Sequence, residues 1–257
     1  MASHDELRNI VEEKHRAIKD GARSEAVEYQ HRKGKLTARE RISELCDTES
    51  FMEFGGLALP ADSDELRPGF ADAVVTGWAT INGQPVTIAS ADFTVNGGSN
   101  GDVGLNKMRR SYERAMDNGT PMVQLLEGVG HRISEGLDSR LFAPGFDVLG
   151  LQAQMSGWVP TPTAMLGQGF AAMTLIASMS DFVVLVRNLS FMGIAPPALV
   201  KAAVGEDVDA EQLGGAEIQA HRNGVADYVV DTEIDALDTI KKYLTYFPAN
   251  SSHPPPV

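Results

Sequence analysis

The chain of 257 residues is 43% hydrophobic and 22% charged, so it can bury the core of one large α/β domain or two small ones. Its formal net charge of −13 argues against nucleic acid and against anionic membrane surfaces as partners. The single cysteine, Cys46, excludes an intramolecular disulfide and a cysteine-based zinc site, and we expect no metal. The charged start lacks a signal-peptide pattern and the apolar runs contain polar breaks, so we expect a cytoplasmic protein with no membrane span.

The first part of the chain is predicted to be helical. Residues 4–33, rich in Glu, Lys, Arg and Ala, predict one exposed helix. Thr37 followed by Glu40 is a capping-box pattern, and it predicts a short helix that ends near Cys46. The same region carries the densest basic patch of this acidic chain, which indicates either a solvated helix face or a phosphate-binding surface. The patch consists of Lys33, Lys35, Arg39 and Arg41.

A hairpin, a glycine-rich turn and a long helix come next. Residues 73–79 and 84–89 predict two strands around Asn82-Gly83, a dipeptide typical of two-residue hairpin turns. The second strand leads into the glycine-rich turn 96–101. Apolar residues at helical spacing then predict a helix from about 102 to 118. The turn therefore lies between a strand and a helix.

That turn contains the pattern G-x-S-x-G with Ser99 at its centre, which in this setting is typical of a hydrolase nucleophile elbow. An elbow requires one sharp turn, however, and Asn96 and Gly97 lengthen this one. No later histidine is marked as the base for such a serine among His131, His221 and His253. We therefore disfavour a hydrolase elbow; loss of esterase activity in Ser99→Ala would restore it.

The stretch 121–136 contains the first candidate site. Met122 to Leu126 is a short apolar run that predicts a buried strand, and it breaks into Gly128-Val129-Gly130. A buried strand that ends in a glycine-rich bend exposes backbone N–H groups without a ladder partner. Such groups can stabilise the oxygen of a carbonyl that is becoming an oxyanion. The alternative is a plain strand-to-loop turn.

A second strand and bend follow. Residues 145–157 predict a helix, and 158–166 predict an extended strand that two prolines interrupt. The segment 167–172 forms the second bend and opens a helix of small residues through Ser178, whose N-terminus favours developing negative charge. Two bends directed at one point can form an oxyanion site. This hypothesis requires that the bends face each other and that their amides are not engaged within the sheet.

The remaining segments complete an α/β pattern. Short strands and helices are predicted at 181–186, 198–204, 209–214, 225–230 and 233–247. No G-x-G-x-x-G opens a helix with an acidic residue about 20 residues further on, so a dinucleotide site is disfavoured. A P-loop is absent as well, because Gly34-Lys35 is followed by leucine.

From Gly34 to about residue 250, many short segments resemble, in sequence and in order, the N-terminal half of the members of one protein family. The family comprises the carboxyltransferase (beta) subunits of biotin-dependent acyl-CoA carboxylases. The matching pieces are Gly34–Ile42, Val75–Trp78, Asp92–Ser99, Arg132–Gly136, Ser180–Phe182, Val200–Lys201, Val204–Glu206, Glu211–Ala216 and Gly224–Asp227.

The resemblance implies a crotonase (ClpP)-like fold of the α/β class, a spiral of ββα units in a single domain. It divides the chain into an N-terminal helical extension (1–33), a crotonase-like carboxyltransferase N-type domain (34–248) and a Pro-rich tail or linker (249–257). The implied reaction transfers CO2 from carboxybiotin to the α-carbon of an acyl-CoA, while backbone amides stabilise the thioester enolate.

The same resemblance implies partners and a cofactor. Biotin is expected on a partner carrier protein and a coenzyme A thioester as substrate. Biotin then acts as the base, so no side-chain base is required. In this family an N-type half of one subunit meets a C-type half of another, so a second carboxyltransferase-type subunit or half is expected. A biotin carboxylase or carrier subunit and a hetero- or homo-oligomer are expected as well.

Carried over position by position, the amides of Val129 and Gly130 and those of Ala171 and Ala172 become the oxyanion donors. Val129 cannot take positive φ cheaply, so a shifted geometry is expected there. His131 replaces the family's alanine, either as a polar loop residue or as a general acid or base. The residues implied to bind substrate and coenzyme A are Lys35, Arg39, Gly97, Gly98, Ser99, Gly128, Arg132, Gly167, Gly169 and Phe170.

Two rival hypotheses stay open. The chain could be a biotin-independent crotonase-type enzyme (a decarboxylase, hydratase or hydrolase) that uses His131. It could instead be a non-catalytic scaffold subunit of a complex. Glu127 and Glu135 are expected to be structural hydrogen-bond acceptors and not catalysts.

Overall fold

The computed structural model describes residues 3–61, 69–137, 140 and 147–256. The strands are β1 Met52–Phe54, β2 Val74–Ile81, β3 Gln84–Ala91, β4 Met122–Gly128, β5 Pro162–Phe170, β6 Phe182–Val186, β7 Phe191–Gly193 and β8 Tyr228–Val230. The helices are α1 His4–Ala17, α2 Ser24–Arg32, α3 Ala38–Leu45, α4 Asp102–Asn118, α5 Ile133–Gly136, α6 Asp147–Met155, α7 Ala172–Ser178, α8 Pro197–Val204, α9 Ala210–Gly214 and α10 Glu233–Leu244. The first two residues of the helix predicted at 145–157 lie outside the described residues.

The strands form one mixed sheet in the order β1-β2-β3-β4-β5-β6-β8, with β7 paired to β5 beyond the end of β6. The predicted hairpin joins β2 and β3 as an antiparallel pair, and Asn82 and Gly83 take φ values of 51° and 78°. Both central residues of a type I′ turn need positive φ, which explains this dipeptide. From β3 to β8 the pairing is parallel, so the carboxyl ends of β4 and β5 lie at the same edge.

Helices cover both faces of the sheet, which confirms the α/β class. Strand β4 shows the arrangement: Met122 and Leu126 pack towards α4, α6 and α7, whereas Val123 and Leu125 pack towards α3 and α10. A strand that is buried on both faces is apolar throughout rather than alternating. The carboxyl end of β4 is thereby held rigidly between two helical layers.

The N-terminal extension is two helices, and the prediction of a single helix over 4–33 was wrong. The chain leaves α1 at Ala17, passes through a 3-10 turn at Asp20–Arg23 and continues as α2. Arg23 of this turn pairs with Asp92 at 3.1 Å, and the neighbouring Ile18 is buried. These contacts with distant segments end α1, and composition alone could not indicate them.

The beginning of the predicted proline-rich tail packs on the preceding part of the chain. Asn250 is buried and its side-chain amide donates to the carbonyl of Gly119 at 2.8 Å, at the end of α4. The amide of Ser251 donates to the carbonyl of Trp158 at 2.9 Å. In the described part of the chain, no helix has the length and apolar character needed to cross a membrane.

Candidate functional site

The two candidate bends lie in contact at the carboxyl ends of β4 and β5. Gly128 is the register partner of Gly169 across the two strands. A Cβ atom added to Gly130 would lie 3.6 Å from the carbonyl oxygen of Phe170 and 3.8 Å from the Cβ of Ala171. The oxyanion hypothesis requires this proximity.

In the first bend, glycine absorbs the unusual backbone conformation. Gly130 has a φ of 93°, and Val129 is not among the residues with positive φ, so valine avoids the conformation that would strain it. Hydrogen bonds of 2.8 Å fix the bend to the 96–101 turn: Asn100 N–H donates to the Gly130 carbonyl, and Arg132 N–H donates to the Asn100 carbonyl. Among the described residues, no backbone carbonyl accepts a hydrogen bond from the amides of Val129 or Gly130.

The second bend is shorter than the sequence indicated, because β5 continues to Phe170. Gly167 and Gly169 therefore lie inside a strand and not in a turn. The chain turns at Ala171, whose φ of 49° and ψ of −111° are unusual for a residue with a side chain. The Ala171 amide donates to the carbonyl of Gly193 at the end of β7, at 3.0 Å. The prediction of Ala171 as an oxyanion donor was wrong, because its amide is engaged within the sheet.

Ala172 remains as a donor of the second bend. It is the first residue of α7, and the first N–H groups of a helix have no intrahelical partner. The helical ladder begins with the amide of Leu175, which donates to the Ala171 carbonyl at 3.1 Å. The bends thus offer the amides of Val129, Gly130 and Ala172.

The glycines around the bends permit close approach of backbone and buried groups. A Cβ on Gly128 would lie 2.3 Å from the carbonyl oxygen of Gly98, and one on Gly98 would lie 2.7 Å from that of Glu127. A Cβ on Gly167 would lie 2.5 Å from a carboxylate oxygen of Glu127. These distances are too short for any side chain, so these three glycines are needed for packing. A Cβ on Gly97, in contrast, would have only the side chain of Val129 within 4 Å.

A buried ion cluster lies beneath the bends and is centred on Glu127. One carboxylate oxygen binds the ammonium of Lys35, and the other binds the guanidinium of Arg41 at 2.8 Å. Arg41 also binds Glu233 of α10 at 2.6 Å. Burial alone would lower the pKa of Arg41, but the two carboxylates outweigh it and raise that pKa further above its ordinary value. Glu127 is therefore a structural acceptor, as expected, and it joins α3, β4 and α10 (through Glu233).

Most residues of the predicted basic patch form ion pairs inside the protein. Lys35 and Arg41 are buried against Glu127, and Arg39 forms two hydrogen bonds of 2.6 and 2.8 Å with Glu53. Lys33 is the patch member that stays exposed. We therefore do not assign Lys35 and Arg39 to coenzyme A binding.

Arg132, another predicted substrate-binding residue, is buried between two carboxylates. Its guanidinium lies 2.6 Å from Asp72 and 2.6 Å from Glu135, and it donates to the Ser99 carbonyl at 3.1 Å. Glu135 also accepts from the first amide of α4, that of Asp102, at 2.6 Å. In this geometry Arg132 fixes the first bend to the start of α4.

The structure agrees with the rejection of a hydrolase elbow at Ser99. Strand β3 ends at Ala91 and α4 begins at Asp102, so no sharp strand-to-helix turn places this serine. Ser99 is buried, and its hydroxyl accepts from the side chain of Arg132 at 3.3 Å. The serine therefore belongs to the packing of the 96–101 turn.

His131 follows the first bend directly, and its ring approaches Gly136, where an added Cβ would lie 2.8 Å from the ring carbon Cδ2. Burial lowers the pKa of His131, and the negative charge of Glu135 acts in the opposite direction. The lowered pKa favours the neutral imidazole, which is the form that can accept a proton. Phe170 is buried against Phe191, with ring centroids 4.9 Å apart.

The sequence analysis did not predict the two ion clusters around the site, one centred on Glu127 and the other on Arg132. Glu127 closes an apolar strand and Arg41 occupies the apolar face of α3 beside Ala38, Ile42 and Leu45, so each position signals a buried partner. Asp72 and Glu233 gave no comparable signal.

These features can be compared with known proteins. The carboxyl transferase domain family matches residues 29–257. The chain belongs to this family. A propionyl-CoA carboxylase beta chain of Roseobacter denitrificans is 35% identical over 251 residues, 96% of this chain and 49% of its own length. The biotin-dependent acetyl-/propionyl-coenzyme A carboxylase beta5 subunit of Mycobacterium tuberculosis is 38% identical over 239 residues, 89% of this chain and 42% of its own. The resemblance drawn from the sequence is confirmed.

Solved structures of this family share the fold. Transcarboxylase 12S, determined with methylmalonyl-coenzyme A and methylmalonic acid bound, matches with a TM-score of 0.90 and 33% identity, over 98% of this chain and 50% of that one. The beta subunit of P. aeruginosa geranyl-CoA carboxylase matches with a TM-score of 0.80 and 26% identity, over 95% and 46%. The crotonase-like fold is confirmed, and the chain spans about half the length of the relatives it matches.

Proposed function

We propose that this chain is the acyl-CoA-binding half of a biotin-dependent carboxyltransferase and that it works with a C-type half on a second subunit. Family membership supports the reaction class. The observation that carries the proposal is the contact between the two bends, together with the amides of Val129, Gly130 and Ala172, which donate to no backbone carbonyl among the described residues.

The chemistry assigned to these amides is stabilisation of an enolate. Removal of a proton from the α-carbon of an acyl thioester moves negative charge onto the carbonyl oxygen. Backbone N–H groups that are already fixed need no reorganisation to receive this charge, and one such donor typically contributes a factor of about 10²–10³ in rate. The 96–101 turn binds the carbonyl of Gly130 and so fixes the backbone of the first bend, and Ala172 is fixed as the first residue of α7.

The surface around the first bend fits biotin delivered by a carrier. Val129, Ile133 and Leu137 expose 48%, 82% and 86% of their surface. Biotin has a neutral ureido ring fused to an apolar ring and chain, so apolar side chains next to backbone amides suit it better than charged groups would. In the proposal, Val129 and Ile133 contact the ring. When bound, biotin supplies the carboxyl group and the base for the α-proton.

The test uses the reverse direction of the reaction. The assembly isolated through a tag on this chain is incubated with methylmalonyl-CoA and free biotin, and propionyl-CoA is measured by chromatography. We expect propionyl-CoA to form only when biotin is present. No turnover by an assembly that retains both halves would overturn the proposal and favour the scaffold role.

One observation favours a second candidate, the biotin-independent enzyme: His131 directly follows the first bend, and burial lowers its pKa. In that enzyme His131 would transfer the proton itself, so His131→Ala should abolish turnover, and turnover should not depend on biotin. In the carboxyltransferase, His131→Ala should only lower the rate. The two candidates are thus separated by one variant assayed with and without biotin.

A further inference from the structure

A strained backbone segment lies next to the first bend. Three successive residues with side chains, Ala71, Asp72 and Ala73, take positive φ values of 66°, 46° and 60°. Such residues rarely adopt this conformation, and it persists only where surrounding contacts impose it. All three are buried just before β2. The surrounding contacts must therefore be strong and specific.

Lys107 of α4 supplies those contacts. Its side chain is only 6% exposed, and its ammonium donates to the carbonyls of Ala71 at 2.8 Å and Val74 at 2.5 Å. The two carbonyls lie on either side of Asp72. The stem of Lys107 passes over Gly55, where an added Cβ would lie 2.9 Å from its Cε. A buried ammonium is costly unless its donors are satisfied, and the carbonyls of Ala71 and Val74 satisfy two of them here.

Asp72 links the strained segment to the first bend. One of its oxygens lies 2.6 Å from the guanidinium of Arg132, and the other accepts from the amide of Gly104 at 2.6 Å. The backbone of Arg132 binds the Asn100 carbonyl, and the amide of Asn100 binds the Gly130 carbonyl. An unbroken series of contacts thus leads from Lys107 to the bend.

We propose that Lys107 is a positioning residue for the first bend: by holding the carbonyls of Ala71 and Val74, it keeps Asp72 where it fixes Arg132 and thereby the backbone of the bend at Gly130. The kinetic consequence rests on the proposed carboxyltransferase function. The structural consequence, a more mobile bend without Lys107, does not.

The proposal implies a pH dependence. Burial lowers the pKa of Lys107 to about 8, and the neighbouring charges modify this shift. The carboxylates of Glu53, Asp72 and Asp92 favour the ammonium, whereas the guanidinium of Arg39 disfavours it. Charged donors form stronger hydrogen bonds than neutral ones. The contacts with the two carbonyls therefore weaken as the pH rises through about 8.

The test compares three variants in the assembly isolated through a tag on this chain. Lys107→Met removes the donor but keeps an unbranched side chain, and Lys107→Arg keeps a donor that stays charged. Arg109→Met, which loses an exposed ion pair with Glu113 on the same helix, is the matched control. Propionyl-CoA formation gives kcat and KM over a pH range of about 6.5 to 9.5, which brackets the pKa of Lys107. Amide hydrogen exchange is followed in the peptide that covers the first bend.

We expect Lys107→Met to lower kcat at least about tenfold with little change in KM, and to speed exchange at the first bend but not in β6. We expect the wild-type kcat to fall above a pH of about 8, and the fall to move to higher pH in Lys107→Arg. Wild-type exchange at the bend in Lys107→Met would overturn the proposal. If Lys107→Met does not fold, an unchanged alkaline limb in Lys107→Arg would overturn it. If the wild-type assembly shows no turnover, the proposed function fails, whereas exchange still tests the role of Lys107.

Discussion

Replacing Gly130 by alanine should damage the site without damaging the fold. The added Cβ has room, since its nearest neighbours would be 3.6 Å or more away, so steric overlap plays no part. The φ of 93° is strained for alanine, however, at a cost on the order of 1–2 kcal/mol. Relaxation of that strain rotates the peptide groups of the bend. For a chain of this size the cost corresponds to a fall in Tm of roughly 3–6 °C.

The effect on activity should be much larger than the effect on stability. If rotation removes one oxyanion donor, kcat should fall about 10²–10³-fold. The matched control is Gly205→Ala, which places alanine at a φ of 78° with no atom within 4 Å, away from the bends. Calorimetry and the propionyl-CoA assay are run on both variants. Equal activity in the two variants, with similar losses of Tm, would refute the oxyanion role of the first bend.

Three further predictions concern stability. Glu127→Gln leaves Lys35 and Arg41 without their shared carboxylate and should cost about 3–5 kcal/mol in urea unfolding; Glu113→Gln, which breaks an exposed pair, should cost less than about 1 kcal/mol. Ala171→Gly relieves a φ of 49° and should raise the unfolding free energy by about 1 kcal/mol, so an unchanged Tm would show that Ala171 is not strained. Because burial lowers the pKa of Lys107 from 10.5 to about 8, the unfolded chain binds this proton more tightly. The unfolding free energy of the wild type minus that of Lys107→Met should therefore rise with pH across this interval, by about 3 kcal/mol at most, and a flat difference would contradict the shift.

Local signals made much of the fold predictable. The hairpin at Asn82-Gly83 and the capping box of Thr37 and Glu40 appear as expected, because the turn and cap chemistry is contained in a few adjacent residues. Helix α4 lies where its apolar period predicts it, with Met108 and Tyr112 in the core. Each of these elements is specified by its own sequence.

The features that the sequence analysis did not predict correctly depend on contacts between distant segments. Strands β1 and β7 have three residues each and form only because β2 and β5 offer edges to pair with. Gly167 and Gly169 indicated a turn, but the structure uses them inside β5, where Glu127 and Met165 leave no space for a Cβ. The amide of Ala171 was expected to be available, and the unpredicted β7 binds it through Gly193. Because β7 was not predicted from the sequence, the Ala171 amide was wrongly assigned as a donor of the candidate site.

The central claim is that amides of both bends bind the oxygen of an acyl thioester. The most direct measurement is a crystal structure of the assembly with propionyl-CoA bound. The account predicts the thioester oxygen at about 2.7–3.1 Å from the amide nitrogen of Ala172 and from that of Val129 or Gly130. A thioester bound elsewhere, or an oxygen held by side chains while these amides bind other groups, would contradict it.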